Sequence, residues 1–354
     1  MYPRLLVDLN KIEHNAKNIV EMCHMRGQSV AVSTKLVMGN PMITATLLAT
    51  EIEYIADSRI ENLIKTPQKD KQKILLRIPS LYDVERVMKG CDITFHSNLE
   101  SLKAFEQCGS KVQLHHGVVL MVDMGDLREG IWYEDEKSLI ECVEWLEECE
   151  WLELKGIATN ITCFGGVLPS KENIELFKKL CMKVEKKIKR TLEIKSFGNS
   201  SSIDSLELLE NVSNHIRIGE AIFLGRETAH GAVIKGCVQN AFILEAEVIE
   251  VYAKPSLPFG EIGRDSFGNV PKYEDRGIRK RAVVAIGRQD ILEDRLIPLE
   301  QGIEVLGASS DHLLLDVNAY EGDLHVGDIL KFSLTYGGVL SLFTSPFVEK
   351  IIKK

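Results

Sequence analysis

The feature that most constrains this chain is the alternation of short apolar runs with helical patterns between residues 30 and 230. Short apolar runs that alternate with helices are typical of parallel strands buried on both faces. Eight such units over about two hundred residues predict a TIM-type (β/α)8 barrel, whose working face is the set of strand C-termini. The predicted strands are residues 29–35, 54–57, 74–78, 93–95, 118–122, 154–158, 193–196 and 215–218.

The pattern changes after about residue 231, where the chain becomes strand-like and rich in turns. Stretches such as FILEAEVIEVY, KRAVVAIG and HLLLDV have almost no helical periodicity and predict a second, all-β domain. The expected fold class is therefore α/β, a (β/α)8 barrel followed by a C-terminal all-β domain. We place the barrel at residues 11–230 and the β-rich domain at residues 1–10 together with 231–354.

Charge and composition exclude several classes of partner. The chain has 43 Lys and Arg against 52 Asp and Glu, without a basic block, which argues against nucleic acid and anionic membrane surfaces. Asp8 and Asn10 interrupt the first apolar run before it reaches the length of a signal-peptide core or membrane span. The eight cysteines lack metal-type spacing, so we expect no metal and interpret them as reduced, buried thiols of a cytoplasmic protein. A small molecule is the expected partner.

Lys35 follows the run SVAVST directly and is expected at the end of a buried strand. Burial disfavours the ammonium form of a lysine, and a neutral amine can attack an aldehyde. A strand-end lysine that reaches back to solvent is the alternative.

Four further motifs occur along the chain: VDMGDLREG, TNITCFGG, SFGNSSS and RIGEAIFLG. By their order and spacing, the chain resembles the alanine-racemase-like, fold-type III pyridoxal-phosphate enzymes, most closely their ornithine-racemase branch. This resemblance runs over nearly the whole chain. It implies pyridoxal 5'-phosphate as the cofactor and an amino-acid racemase activity. It also implies a two-fold homodimer in which each C-terminal domain covers the partner's barrel, so that active sites are shared.

The resemblance implies roles for three residues around the cofactor ring. Lys35 would hold the cofactor as a Schiff base and serve as one of two proton carriers. Arg128 would contact the ring hydroxyl, unless it is a loop arginine paired with Asp126 or Glu129. Asn160 stands beside the ring, where alanine racemases have a histidine.

Arg217 matches the arginine that faces the pyridine nitrogen in this family. A permanent cation there keeps the nitrogen unprotonated and weakens the electron sink, which favours simple reprotonation over decarboxylation. The alternative is a surface arginine at a strand end.

The cofactor phosphate is expected between two segments. The run GNSSS consists of small residues between a strand and a helix, where amides and hydroxyls can surround a dianion, although it could also be an ordinary capped turn. By resemblance, the backbone of RIGEAIFLG completes the phosphate site. The candidates are Asn199, Ser200 and Ser201 in the first segment and Gly219, Glu220 and Ala221 in the second.

A racemase with two bases needs a second proton carrier on the face of the substrate opposite Lys35. Arg288 stands where alanine racemases present the tyrosine that is their second base, and Met121 replaces a lysine of that branch. The segment GASSDH resembles a place where racemases present substrate-binding residues from the partner subunit. Ser310 and Asp311 are the catalytic candidates and Arg288, Asp290 and His312 the substrate contacts; Asp311 could instead be a turn carboxylate.

The expected function is racemisation of an amino acid, with ornithine as the expected substrate, by proton transfer on both faces of its Cα. Alternatives are a racemase of lysine, alanine or a broader set, and a decarboxylase or aldolase of the same fold. A cofactor carrier without turnover is a third alternative, although carriers of this kind consist of a barrel alone.

Overall fold

The computed structural model describes residues 1–67 and 70–354. The chain divides into two compact units, a barrel unit of residues Asn10–Gln239 and a β unit of Met1–Leu9 with Asn240–Lys354. The second boundary lies at 239/240 rather than at 230/231, because the last residues of the barrel unit bond to its first helix. Asn15 and Val238 exchange two hydrogen bonds of 2.8 Å. The β unit begins with strand β1, Arg4–Asp8.

Eight parallel strands close into a barrel, which confirms the predicted fold class. Each strand pairs with its neighbours, and the last returns to the first of the eight. Their bounds are β2 Ser29–Ser33, β3 Tyr54–Asp57, β4 Gln72–Leu75, β5 Ile93–His96, β6 His116–Asp123, β8 Leu152–Thr159, β9 Ile194–Asn199 and β10 His215–Ile218, with a short β7, Ile131–Trp132, beside β6. Buried apolar side chains such as Phe95 and Met121 fill the interior, so the barrel encloses a packed core.

Helices connect the barrel strands. They are α1 Leu9–His24, α2 Pro41–Leu48, α3 Ile60–Lys65, α4 Val84–Gly90, α5 Leu99–Val112, α6 Glu136–Glu147, α7 Lys171–Ile188, α8 Leu206–Leu209 and α9 Glu220–Leu224. The strand predicted at 74–78 lies at 72–75. The serine run after β9 forms a 3-10 segment, Ser200–Ser205, which the Asn199 side chain caps, and α8 follows it. No helix within the described ranges is long and apolar enough to cross a membrane.

The β unit is an eight-stranded sheet of β1 and seven later strands. These are β11 Phe242–Pro255, β12 Ile278–Val284, β13 Leu296–Pro298, β14 Glu304–Ala308, β15 Leu313–Asp316, β16 Ile329–Leu334 and β17 Glu349–Lys353, with helix α10, Tyr336–Thr344, before the last strand. The sheet confirms the expected C-terminal β domain, and α10, which the sequence did not predict, is capped by Thr335 before the sequence YGGVLSLFT. Strand β1 pairs antiparallel with β11 and parallel with β17.

Gly156 gives a test of barrel packing. It pairs with Ile194 between β8 and β9, and a Cβ at this position would lie 1.7 Å from the Ile194 carbonyl oxygen. We expect Gly156→Ala to lower the free energy of unfolding by about 3 kcal/mol, because the strands must separate to admit the methyl group. Urea unfolding measures this, with Gly263→Ala as the control, because a Cβ at Gly263 meets no atom within 4 Å. Equal stability of the two variants would contradict the packing.

Candidate active site

The candidate residues of the barrel unit lie at the carboxyl ends of its strands. Lys35 follows β2, Arg128 follows β6, Asn160 follows β8, Asn199 ends β9 and Arg217 lies on β10. Carboxyl ends of parallel barrel strands meet at one face, which is where enzymes of this architecture carry their active sites.

Lys35 begins a 3-10 turn, Lys35–Val37, immediately outside the barrel. Thr34 holds this turn: its amide donates to Ala56 O at 2.9 Å and its hydroxyl to Asp57 Oδ2 at 2.8 Å. Lys35 itself is exposed. The expectation of a desolvated lysine is therefore wrong for this structure, because the strand ends at Ser33, two residues earlier than predicted.

Asp57 supports the turn that begins with Lys35, a role that the sequence did not predict. Its side chain is fully buried and accepts hydrogen bonds from Thr34, from the Arg59 amide and from Asn62. Desolvation raises the pKa of this carboxyl above its ordinary value. The signal in the sequence is an aspartate that ends the apolar run YIAD, but its partners could not be identified without the fold.

Arg217 is buried inside the barrel wall, with 7% of its surface exposed, and is not a surface arginine. Its Nη2 donates to Thr159 O at 2.5 Å and its Nη1 to Ser196 Oγ, and its guanidinium carbon lies 5.6 Å from the centre of the Phe95 ring. Among the described residues, its hydrogen-bond partners are all neutral. Burial lowers the pKa of Arg217 to about 10, so it remains a cation at neutral pH.

Asn160 lies beside both arginines of the site. Its amide oxygen lies 3.5 Å from Arg217 Nη2 and accepts from Asn199 Nδ2 at 3.1 Å. With the opposite amide orientation, that oxygen accepts from the Arg128 guanidinium. Arg128 also pairs with Glu129, so the pairing considered for a loop arginine is present, while the side chain still lies against Asn160.

The two predicted phosphate-binding segments lie together. Ser200 Oγ accepts hydrogen bonds from the amides of Gly219 at 3.3 Å and Ala221 at 3.1 Å. Asn199 caps the serine segment, with its Oδ1 accepting from the Ser201 amide at 2.8 Å and the Ser201 hydroxyl at 2.7 Å. Amides from one segment and hydroxyls from the other therefore meet at one place, and an anion bound there shares the two amides with Ser200 Oγ.

Glu220 places a carboxyl group beside the lysine. It follows Gly219 at the start of α9, and burial raises its pKa to about 7, whereas the ammonium group of Lys35 acts in the opposite direction. The sequence predicted a role only for its backbone, at the phosphate site. The parallel register of β10 and β2, which pairs Ile218 with Val32, explains why the segments after these two strands are neighbours.

This carboxyl predicts a pH-dependent stability. The pKa of Glu220 rises from 4.5 to about 7 on folding, so the folded chain retains a proton that the unfolded chain loses. Its contribution to stability is fully present below pH 4.5 and is lost as the pH rises to about 7. We expect Glu220→Gln, which resembles the protonated form, to reduce this loss by about 1–3 kcal/mol.

Urea unfolding of cofactor-free protein at pH 4.5 and pH 8 measures the effect. Glu175→Gln is the matched control, because Glu175 is an exposed glutamate on α7. A pH dependence that is the same in wild type and Glu220→Gln would contradict the prediction.

The remaining candidates lie in the β unit, where two loops are joined by backbone hydrogen bonds. Arg288 N donates to Ser309 O at 2.9 Å and Gln289 N to Ser310 O at 3.0 Å. Ser310, Asp311 and His312 are exposed, and Ser310 Oγ donates to Asp311 Oδ2 at 2.9 Å. This structure thus brings the predicted second-base and substrate segments together.

Arg288 and Asp290 are already engaged by side chains of the β unit. Arg288 pairs with Glu293 through two contacts and stacks 4.2 Å from the centre of the Phe267 ring. Asp290 Oδ1 accepts from the Ser345 hydroxyl. A substrate that contacts Arg288 or Asp290 therefore has to share that side chain with Glu293 or Ser345.

Polar groups at the barrel mouth fit pyridoxal 5'-phosphate. Ser33 Oγ and Thr159 Oγ1 are buried without a hydrogen-bond partner within residues 1–67 and 70–354, and buried polar groups normally have one. Ser33 lies beside Gly219, whose Cβ would be 3.3 Å from the Ser33 Cβ. With a lysine amine, a converging set of amides and a buried arginine, the fold and site define a fold-type III pyridoxal-phosphate enzyme.

Comparisons with known proteins agree with this class. The family profile described as "Alanine racemase, N-terminal domain" matches residues 7–227. An ornithine racemase of Acetoanaerobium sticklandii is 43% identical over 353 residues, covering 99% of each chain. A lysine racemase of Thermotoga maritima is 40% identical over 356 residues, covering 99% of this chain and 98% of its own.

Solved structures agree on the fold. An alanine racemase of Clostridium difficile superposes with a TM-score of 0.77 at 17% identity, covering 99% of this chain and 95% of its own. A D-threonine aldolase of Filomicrobium marinum gives a TM-score of 0.74 at 12% identity, covering 97% and 89%. The chain belongs to the alanine racemase family and is a pyridoxal-phosphate-dependent amino-acid racemase.

Proposed function

We propose that this protein is a cytoplasmic, homodimeric racemase that interconverts L- and D-ornithine. The observation that supports ornithine as the substrate is the 43% identity to an ornithine racemase across 99% of both chains. The lysine racemase relative, at 40% identity, acts on a diamino acid as well by its name. An amino acid with a second, distal ammonium group is therefore the proposed substrate class.

Each candidate residue has a proposed task. Bound pyridoxal 5'-phosphate supplies an electron sink that weakens the Cα–H bond of the attached amino acid. Lys35 would hold the cofactor aldehyde through Nζ and would carry a proton on one face of Cα. The amides of Gly219 and Ala221 bind the phosphate together with the hydroxyls of Ser200 and Ser201.

Arg217 favours racemisation over the other reactions of this fold. Its buried cation is held by Thr159 O and Ser196 Oγ. Facing the ring nitrogen of the cofactor, it would keep that nitrogen unprotonated and so weaken the electron sink. A weak sink suits rapid return of the proton. A decarboxylase of this fold is expected to place an acid at this position.

Incubation of the purified protein with L-ornithine in deuterated water tests the function. Racemisation predicts α-deuterated ornithine and loss of optical rotation, with L-lysine and L-alanine turned over more slowly. Release of carbon dioxide or an aldehyde would instead identify a decarboxylase or aldolase. Cofactor binding without any turnover would identify a carrier.

The proposed second proton carrier lies in the segment Ser310–Asp311 of the partner subunit. Mixed dimers test this sharing, because Lys35→Ala and Asp311→Asn subunits each lack one carrier. If sites are shared, the mixture regains activity that neither variant has alone, because one type of hybrid site receives both native residues. A mixture as inactive as its components would contradict shared sites.

A further inference from the structure

Asp126 joins the loops after β6 and β8 through its side chain and its backbone carbonyl. We call residues 124–130 the β6 loop and residues 160–170 the β8 loop. Asp126, in the β6 loop, has 1% of its surface exposed. Its Oδ2 accepts from the amides of Cys163 at 3.2 Å and Phe164 at 3.0 Å, and its carbonyl accepts from Gly165 N at 3.0 Å.

The two loops also approach closely in their backbones. A Cβ on Gly165 would lie 2.9 Å from the Asp126 carbonyl oxygen, so only glycine permits this approach without a shift. The contact therefore depends on residues from both loops, and Asp126 accepts all three of these hydrogen bonds.

The second oxygen of the Asp126 carboxylate takes no part in this contact. Its Oδ1 is buried and has no hydrogen-bond partner among the described residues. A neutral amide could accept the same two hydrogen bonds at a lower desolvation cost. The negative charge attracts Arg128, two residues along the β6 loop.

The β8 loop begins with Asn160, which contacts Asn199 and Arg217 and lies against Arg128. Cys163 Sγ lies 3.5 Å from both Asn160 Oδ1 and Asn199 Nδ2. A shift of the β8 loop therefore displaces the group that separates the two arginines.

We propose that Asp126 is a positioning residue of the racemase, whose carboxylate holds Asn160 and Arg128 in the arrangement that orients Arg217. This inference rests on the proposed function only in that the measured reaction is ornithine racemisation. A displacement of about 1 Å in such an arrangement can cost up to 100-fold in rate.

The variant Asp126→Asn separates charge from hydrogen bonding, because its amide oxygen can still accept from Cys163 and Phe164. Asp135→Asn is the matched control, since Asp135 accepts the Ser138 amide as the cap of α6, and asparagine is an equally good cap. We expect Asp126→Asn to lower kcat about 10- to 100-fold with KM little changed, while its Tm stays close to that of the control.

Thiol labelling provides a readout that does not require activity. Cys163 is exposed, unlike the other seven cysteines, which are buried or half-buried. We expect iodoacetamide to label Cys163 several-fold faster in cofactor-free Asp126→Ala than in Asp126→Asn, as measured by peptide mass spectrometry. Both variants lack the negative charge, and only alanine lacks the acceptor for the amides of Cys163 and Phe164.

The outcomes are distinct. A kcat in Asp126→Asn equal to that of Asp135→Asn, or equal labelling rates in Asp126→Ala and Asp126→Asn, would overturn the proposal. A lower kcat in Asp126→Asn together with a Tm well below that of Asp135→Asn would also overturn it, because the role would then be structural. If wild type does not racemise ornithine, the proposed function fails, while the labelling comparison still decides whether Asp126 holds the β8 loop.

Discussion

Replacing Lys35 by alanine is expected to abolish the visible absorption band of the bound cofactor and to lower kcat by about 1,000-fold or more. The substitution removes both the amine that binds the aldehyde and one of the two proton carriers. Because Lys35 is exposed and follows the end of β2, the fold should persist. Absorption spectra of cofactor-loaded, dialysed protein and polarimetry with L-ornithine measure the two effects.

Borohydride reduction followed by peptide mapping identifies the attachment site directly. We expect the cofactor mass on the peptide that contains Lys35 and on no other. Lys103→Ala is the matched control, because Lys103 is an exposed lysine on α5, remote in sequence from every candidate motif. A visible band that survives in Lys35→Ala, or a cofactor mass on another lysine, would refute the assigned role.

Replacing Arg217 by glutamate is expected to lower the rate of racemisation by about 100- to 1,000-fold. A carboxyl group at this position can share a proton with the ring nitrogen, which strengthens the electron sink and favours competing reactions. The substitution also leaves Thr159 O without its donor inside the barrel, which costs about 1–3 kcal/mol of stability. Polarimetry and the yield of keto acid or carbon dioxide measure the change in reaction.

Arg217→Lys serves as the control for charge. Lysine keeps the cation and can donate to Thr159 O or Ser196 Oγ, so we expect Arg217→Lys to retain more racemase activity than Arg217→Glu. If Arg217→Glu racemises as fast as wild type, the cation does not govern the choice of reaction. Urea unfolding of both variants separates a change in chemistry from a loss of fold.

The barrel could be predicted because its strands are buried on both faces and are read from the sequence as short apolar runs. The same apolar runs also indicated where the site segments lie in the chain, because each segment lies at the end of one such run. They could not show that β2 ends at Ser33, because the turn after β2 depends on a hydrogen bond between Thr34 and Asp57, which ends the next strand, β3. The exposed position of Lys35 is a consequence of that turn.

Contacts between distant segments explain the other differences. Asp126 was considered only as a partner for Arg128, whereas its hydrogen bonds go to amides of a loop more than thirty residues away in the sequence. The carboxyl of Glu220 faces Lys35 because β10 and β2 are neighbours, although they are far apart in the chain. Neither partnership has a local sequence pattern.

The pairing of β1 with both β11 and β17 has a consequence for synthesis of the chain. The barrel unit lies between β1 and β11 in sequence, so a ribosome completes every barrel strand before the partners of β1 exist. Domains generally fold as units while the chain is being made. The barrel can therefore fold co-translationally, whereas the edge of β1 that pairs with β17 stays open until β17 has been synthesised.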